Sequence, residues 1–137
     1  MAPHTQSGIS RRRAGYTLIE LIIVMAIISI LVAVAVPIYQ KTILRAKESL
    51  LKQNISTLRT VIDEYTFDKK KAPQQLQDLV TAGYLRAVPL DPITGNDLWI
   101  TIMEVALTAV DQTDPGIWDI RSRSDLKSLE GTPYSEW

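Results

Sequence analysis

The longest uniform feature of the sequence is an apolar run near its start. From Leu21 to Gln40 no side chain carries a charge at neutral pH, and Ser29 is the only polar residue before Pro37. An α-helix of about 20 apolar residues crosses the hydrocarbon core of a bilayer. The pattern therefore predicts one membrane-spanning helix, which reaches the required length if it begins near residue 18.

Glu20 stands at the amino-terminal edge of this run and is the one charged residue within it. An acid at the bilayer centre costs about 2.5–3.5 kcal/mol on translocon scales, and less near the boundary. Glu20 can reach the interface, so insertion remains feasible, although Leu or Ala at this position would favour insertion more. The glutamate therefore indicates a function other than anchoring.

The residues alone leave three interpretations of the run open. A secretory signal peptide would be cut at the small residues Ala33–Ala35. A plain single-pass anchor would not be cut, and in the third interpretation the cut precedes the run, which stays on the mature protein. Arg11–Arg13 precede the run, and Lys41, Arg45 and Lys47 follow it, so positive charge does not decide the membrane orientation.

A second apolar pattern, at helical spacing, follows Pro37. Its members recur every three, four or seven residues and form one stripe: Leu44, Leu51, Ile55, Leu58, Ile62 and Tyr65. We expect one helix from about Thr17 to Phe67, roughly 75 Å long. Its first half would stand clear of a folded domain, and its second half would pack against that domain.

Turn residues after the long helix predict a short second helix. Pro73 precedes it, Leu76, Leu79 and Val80 would face inward, and Gly83 would be its C-terminal cap. The second helix would thus end just before the sequence GYL.

Two later segments, 98–105 and 117–120, are rich in β-branched and aromatic residues. Such segments predict strands, and we expect a small antiparallel sheet packed against the helix stripe. The pattern does not decide whether residues 106–110 extend a strand or form a loop. The predicted fold class is α+β.

The composition limits which partners and which kinds of active site the chain can have. The 137 residues include 15 basic and 15 acidic side chains, no cysteine and one histidine, His4. The balanced charge gives no sign of a nucleic-acid surface, so no nucleic-acid partner is expected. Disulfides, a thiolate nucleophile and a sulfur-bound zinc site are excluded, and a histidine-dependent triad would need His4. No catalytic motif is present in the sequence, so we expect a structural protein and not an enzyme.

The segment RRRAGYTLIELIIVMAIISILVAVAVP, residues 11–37, resembles the amino-terminal signature of type IV prepilins and type II secretion pseudopilins. These families share a short basic leader ending in glycine, then an aromatic residue, the pattern T-L-[IL]-E and an apolar helix. The resemblance implies cleavage by a prepilin peptidase between Gly15 and Tyr16, N-methylation of Tyr16 and a helix break at Pro37. It also implies that the leader, residues 1–15, is cytoplasmic.

The resemblance assigns Glu20 to subunit assembly. Subunits of these families leave the membrane lipid and bundle their apolar helices at the centre of a helical filament. Cleavage would give Tyr16 a positively charged α-amine, and Glu20 lies about one helical turn further along. A carboxylate paired with an amine is tolerable in a low-dielectric bundle, whereas a lone one is costly. Glu20 of an incoming copy would therefore pair with the Tyr16 amine of a neighbour in a homopolymer.

The rest of the chain resembles, less closely, the G-type major pseudopilin of type II secretion. The similarity lies in the order of elements and in the segments GYLRAVPLDPITG and GTPYSEW. It implies a pilin-like fold, a single pass through the bacterial inner membrane, and partnership with minor pseudopilins and an inner-membrane assembly platform. The implied domains are a cleaved leader, a transmembrane and filament-core helix, and a periplasmic globular domain: 1–15, 16–40 and 41–137.

The same resemblance raises the question of calcium. G-type pseudopilins usually bind this ion in a C-terminal loop, through aspartate side chains and backbone carbonyls. Asp125 occupies the place of one such aspartate, but PYSE at 133–136 stands where an acidic pair is expected. Calcium takes six to eight oxygen ligands, and Arg121, Arg123 and Lys127 crowd the same stretch. A calcium site at Asp125 and a plain solvated loop both remain open.

The implied function is that of a structural subunit of a pseudopilus, which grows from the inner membrane and drives protein export across the outer membrane. One alternative is a type IV pilin for adhesion or twitching motility, although such pilins commonly carry a disulfide loop and a larger sheet. Another is a membrane-tethered or secreted binding domain, which survives if the chain is cut at Ala35 or not cut at all.

Overall fold

The computed structural model of the chain describes residues 15–104 and 115–137. It contains a long helix α1 (Leu18–Lys69), a short helix α2 (Leu76–Thr81), strand β1 (Ile100–Met103), strand β2 (Ile117–Arg121) and a 3₁₀ turn (Tyr134–Glu136). This arrangement confirms the predicted pilin-like α+β fold. The leader before Gly15 and the segment 105–114, with its undecided strand or loop, lie outside the described residues.

The chain divides into two units between Tyr39 and Gln40. In the first unit the apolar side chains of α1 are exposed on every side of the helix, as in Ile22, Val24 and Leu31. The hydroxyl of Ser29 donates to the Met25 carbonyl at 2.7 Å, so the helix itself satisfies this polar side chain. The length and composition of α1 are sufficient for it to cross a membrane.

Pro37 does not end the helix. The structure shows α1 as continuous helix from Leu18 to Lys69 with Pro37 inside it, so the predicted helix break is not present here. Proline lacks a backbone N–H and therefore removes one hydrogen bond from the interior of a helix. The bonds of the neighbouring turns are sufficient to continue the helix past this position.

In the second unit, α1 buries one face. Four of the predicted stripe residues and one further residue are buried, namely Leu51, Ile55, Leu58, Ile62 and Val61. The outer members of the stripe, Leu44 and Tyr65, are half-buried. Each fully buried Leu or Ile contributes about 1.5–3 kcal/mol relative to an exposed side chain. The amphipathic pattern was therefore a correct guide to the core-facing side of α1.

Helix α2 has defined bonds at both ends. The Asp78 carboxylate accepts hydrogen bonds from the backbone N–H groups of Gln74 and Gln75, both at 2.9 Å. At the other end, Gly83 adopts a φ of +86° and its N–H donates to the Val80 carbonyl at 3.1 Å. Glycine adopts this conformation without steric penalty, which confirms the predicted cap. Of the predicted inward residues, Leu79 is fully buried.

The two strands form an antiparallel pair. Strand β1 is shorter than the predicted segment 98–105, since Leu98, Trp99 and Glu104 lie outside it. Strand β2 extends one residue beyond its predicted end, to Arg121. Ile117 and Ile120 are buried against the rest of the core. The sheet is also tied to α1, since Arg59 Nε donates to Asp119 Oδ1 at 2.6 Å.

A buried carboxylate organises the loop between α2 and β1. Asp91 is completely buried, and its Oδ1 accepts from the backbone N–H of Ile93 at 2.7 Å. Its other oxygen accepts from the Ser122 hydroxyl at 2.5 Å. Asn54 on α1 donates to the Leu90 carbonyl at 2.9 Å. These bonds connect the loop to the segment that follows β2 and to α1.

Gly116 provides a test of this packing. A Cβ atom at this position would lie 2.4 Å from the Ala72 side chain and 2.8 Å from the Ala72 backbone. We expect Gly116→Ala to lower the free energy of unfolding by about 1–3 kcal/mol, because the backbone must shift to admit the methyl group. The measurement is chemical denaturation of the full chain in detergent, with exposed Gln53→Ala as control. Equal stability of the two variants would contradict the close approach.

Candidate functional site

The candidate site lies at the amino end of α1. Gly15, Tyr16 and Thr17 precede the first helical residue, Leu18. The Tyr16 side chain is 88% exposed, and Glu20 is exposed in the first turn. Tyr16 and Glu20 contribute to the same surface hollow. The structure thus brings together the aromatic residue after the implied cleavage point and the acid of the apolar run.

Thr17 fixes where α1 begins. Its Oγ1 accepts a hydrogen bond from the Glu20 backbone N–H at 3.2 Å, and its carbonyl accepts from the Leu21 N–H at 3.2 Å. This is the bonding of a helix N-cap, in which a side-chain oxygen satisfies an otherwise unpaired helical N–H. This role of Thr17 was not among the sequence-based predictions, although T-L-I-E has the Thr-x-x-Glu spacing that marks helix starts.

The surroundings of Glu20 determine what it can do. The carboxylate is in the first turn, where the helix dipole favours negative charge. The neighbouring side chains Ile19, Leu21 and Val24 are apolar and exposed. Any lipid or protein that covers these side chains would also remove water from Glu20. The carboxylate then needs a cation or a hydrogen-bond donor from the covering molecule, because a buried unpaired charge is costly.

Gly15 stands at the implied cleavage point. No other part of the described chain comes within 4 Å of the place that a Cβ would occupy, and Gly15 is not among the glycines with positive φ. Neither packing nor backbone conformation therefore requires glycine here. The described residues thus leave room for a side chain at this position, and recognition of Gly15 by a peptidase stays a prediction.

The predicted calcium residue lies in a different part of the chain. Asp125 is exposed, as are Glu130 and Glu136 in the same segment. Across residues 15–104 and 115–137, no three carboxylate or imidazole side chains come together in an arrangement that could hold a metal ion. Asp125 therefore has no cluster of acidic side chains around it among the described residues, Asp111 and Asp114 lie outside those residues, and the calcium site stays a prediction.

Comparisons with known proteins agree with the geometry of the amino end. The family model described as the prokaryotic N-terminal methylation motif matches residues 10–36. The type IV major fimbrial protein FimA of Dichelobacter nodosus is 47% identical over 60 residues, which are 44% of this chain and 38% of that protein. The chain thus spans well under half the length of this fimbrial relative. No solved structure matches the chain.

Two further relatives are covered over most of their length. The type II secretion system core protein G of Pseudomonas aeruginosa is 32% identical over 98 residues, which are 60% of this chain and 69% of that protein. The competence protein ComGC of Halalkalibacterium halodurans is 36% identical over 73 residues, which are 53% of this chain and 72% of that protein. These similarities, with the methylation motif and the fold, show that the chain belongs to the type IV pilin-like family.

The cap at Thr17 can be tested directly. We expect Thr17→Ala to destabilise the first turn of α1 by about 0.5–2 kcal/mol, because the Glu20 N–H loses its acceptor. Thr17→Ser keeps the hydroxyl and is the matched control. Amide hydrogen exchange of Glu20 in detergent should be faster in the alanine variant than in the serine variant. Identical exchange in the two variants would show that the hydroxyl does not cap the helix.

Proposed function

We propose that this chain is a structural subunit of a type II secretion pseudopilus, whose growth from the inner membrane drives protein export across the outer membrane. One observation carries the part of the proposal that concerns filament assembly. Glu20 lies in the first turn of an exposed apolar helix, one turn after the Gly15–Tyr16 bond.

An apolar helix exposed on every side needs a non-aqueous environment. Membrane lipid provides one before assembly, and helices of other copies provide one afterwards. Glu20 distinguishes these two states, because lipid tails offer it no counter-charge. If the chain is cut before Tyr16, the new α-amine of a neighbouring copy is a cation of suitable size and position. The pair would favour one axial register between copies, because any other register leaves both charges unpaired.

The proposed cleavage depends on Gly15. The described fold leaves room for a side chain at Gly15, so the glycine is consistent with a requirement of the leader peptidase and not of packing. The matched methylation motif spans the same bond. Tyr16 would then be the first residue of the mature chain and would be N-methylated. A tertiary or secondary amine at neutral pH is protonated, so methylation leaves the charge that Glu20 needs.

Two observations favour the pseudopilus within the family. The similarity to core protein G extends over 98 residues and covers 69% of that relative, whereas the similarity to FimA extends over 60 residues. The chain also has no cysteine and so cannot form a disulfide loop. A type IV pilin for adhesion or twitching remains the second candidate, and the higher identity to FimA, 47%, favours it.

The proposal includes location and partners. The mature chain would cross the bacterial inner membrane once, with residues 41–137 in the periplasm, and would then form a homopolymer. Minor pseudopilins, a prepilin peptidase and an inner-membrane assembly platform would be its protein partners. No enzymatic activity is proposed, since the chain would act by adding length to a filament.

Deleting the gene should impair protein secretion and leave surface motility intact, whereas the opposite result would favour the pilin.

The processing step has a direct test. Mass spectrometry of the protein from native cells should show Tyr16 as the first residue, carrying a methyl group. Gly15→Leu should leave the leader attached, because the peptidase would no longer accept the site. An unprocessed native chain would contradict the proposal, and a first residue at Val36 would instead support a secreted domain.

The role of Glu20 has a separate test. We expect Glu20→Ala to insert into the membrane normally but to lower the yield of sheared filaments by more than roughly tenfold. The physical reason is that removing one member of a buried ion pair costs about 3–5 kcal/mol. Ser29→Ala is the control, because the Ser29 hydroxyl bonds only within its own helix. Normal filament yield from Glu20→Ala would overturn the proposed pairing.

A further inference from the structure

The segment 122–137, here called the clasp segment, is tied to α1 through one carboxylate. Glu48 Oε1 accepts a hydrogen bond from the Leu129 backbone N–H at 2.8 Å and another from the Tyr134 hydroxyl at 2.8 Å. The bonded residues are 81 and 86 positions apart in the sequence. Hydrogen bonds to an ionised acceptor are roughly twice as strong as neutral ones. A single side chain of α1 therefore holds two points of the clasp segment.

Tyr134 is the buried end of this contact. Only 1% of the residue is exposed, and a buried phenol requires a hydrogen-bond partner. Burial in the first place, and then the hydrogen bond to Glu48, raises the pKa of Tyr134 to about 12. The phenol carries its proton at neutral pH, as an unperturbed tyrosine also does, and donates it to Glu48.

A second contact lies one helical turn further along α1. Lys52 Nζ is 4.5 Å from the centre of the Trp137 ring, a cation–π distance. The indole N–H of Trp137 donates to Thr132 Oγ1 at 3.0 Å, and its ring packs edge-on against Tyr134 at 5.0 Å. Glu48 and Lys52 thus contact neighbouring parts of the clasp segment from one side of α1.

Within the clasp segment, hydroxyl and backbone groups close a turn by hydrogen bonds to one another. The Ser128 N–H donates to the Thr132 carbonyl at 2.8 Å, and the two hydroxyls of these residues are 2.9 Å apart. The Tyr134 N–H donates to the Leu126 carbonyl at 3.0 Å. In the part of the chain that the structure describes, every buried side-chain polar atom has a partner. The turn therefore leaves no buried polar side chain that requires a cation.

We propose that Glu48 fastens the clasp segment to α1, and that this contact takes the place of the calcium ion implied by the resemblance. A calcium site would gather six to eight oxygen ligands around the ion, from carboxylates, backbone carbonyls and water. Here the acids of the clasp segment are exposed and apart, and the carboxylate that is used comes from the helix and binds N–H and O–H donors instead. The attachment of the clasp segment to α1 then needs no cation. This inference does not depend on whether the filament is a pseudopilus or a pilus.

The test compares two glutamates of α1 in the full chain, purified in detergent. Glu48→Ala removes the acceptor of both clasp bonds, and Glu64→Ala is the matched control because Glu64 is exposed on the same helix. Thermal unfolding is recorded with millimolar calcium and with chelator. We expect the native Tm to be the same in both solutions and Glu48→Ala to lower it by on the order of 10 °C, with Glu64→Ala near native.

A second measurement keeps the test decisive if Glu48→Ala folds poorly. Tyr134→Phe removes one of the two clasp bonds and retains the ring. Exchange of the Leu129 amide should be slow in the native chain, with or without chelator, and about tenfold faster in Glu48→Ala. A native Tm that rises with calcium would overturn the proposal, as would a Leu129 amide that exchanges rapidly in the native chain. Equal stability of the two glutamate variants would overturn it as well.

Discussion

The folded part of this chain is built on one apolar stripe. Leu51, Ile55, Leu58 and Ile62 lie on one side of α1 and form the core together with residues of α2, β2 and the 3₁₀ turn. From α2 comes Leu79, and from β2 come Ile117 and Ile120. A two-stranded sheet is at best marginally stable by itself in water. The small sheet of this domain therefore depends on the helix that it covers, and so do the loops around it.

Because the domain is small and has no cysteine, polar contacts over long sequence separations complement the core. Arg59 pairs with Asp119, Asp91 with Ser122, and Glu48 with Tyr134. In each pair one or both partners are shielded from water, so the bond is stronger than it would be at the surface. These pairs attach the sheet, the α2–β1 loop and the clasp segment to specific points, where other small domains would use disulfides or a metal.

The first unit of the chain has the opposite organisation. Its helix buries no side chain within the described structure, and its apolar residues are exposed on all sides. Its stability in a cell depends on an outside partner, whether lipid or other helices. Glu20 is the residue whose needs differ between those two partners, because only a protein partner can supply a counter-charge in an apolar setting. In the proposed function, membrane anchorage and filament assembly therefore make different demands on the same short segment.

Much of this organisation is encoded locally. Three predictions were correct: the helix over the apolar run, the buried stripe from Leu51 to Ile62, and the cap at Gly83. Each depends on near neighbours in the sequence, through helical periodicity or glycine conformation. The Thr17 cap was equally local in origin, and its Thr-x-x-Glu spacing could have revealed it. The single helix expected from about Thr17 to Phe67 is present and runs through Pro37, the position that the resemblance marks for a helix break, because the bonds of the flanking turns continue past one missing hydrogen bond.

Only the tertiary structure decided which distant residues pair with each other. Nothing in the spacing of Glu48, Leu129 and Tyr134 connects them, since they meet only once the chain has returned to α1. The same holds for the Asp91–Ser122 contact and for the approach of Gly116 to Ala72. A sequence displays which side chains can bond, but a long-range bond also requires the path of the intervening backbone. That path results from burying the whole core at once, and no local pattern contains it.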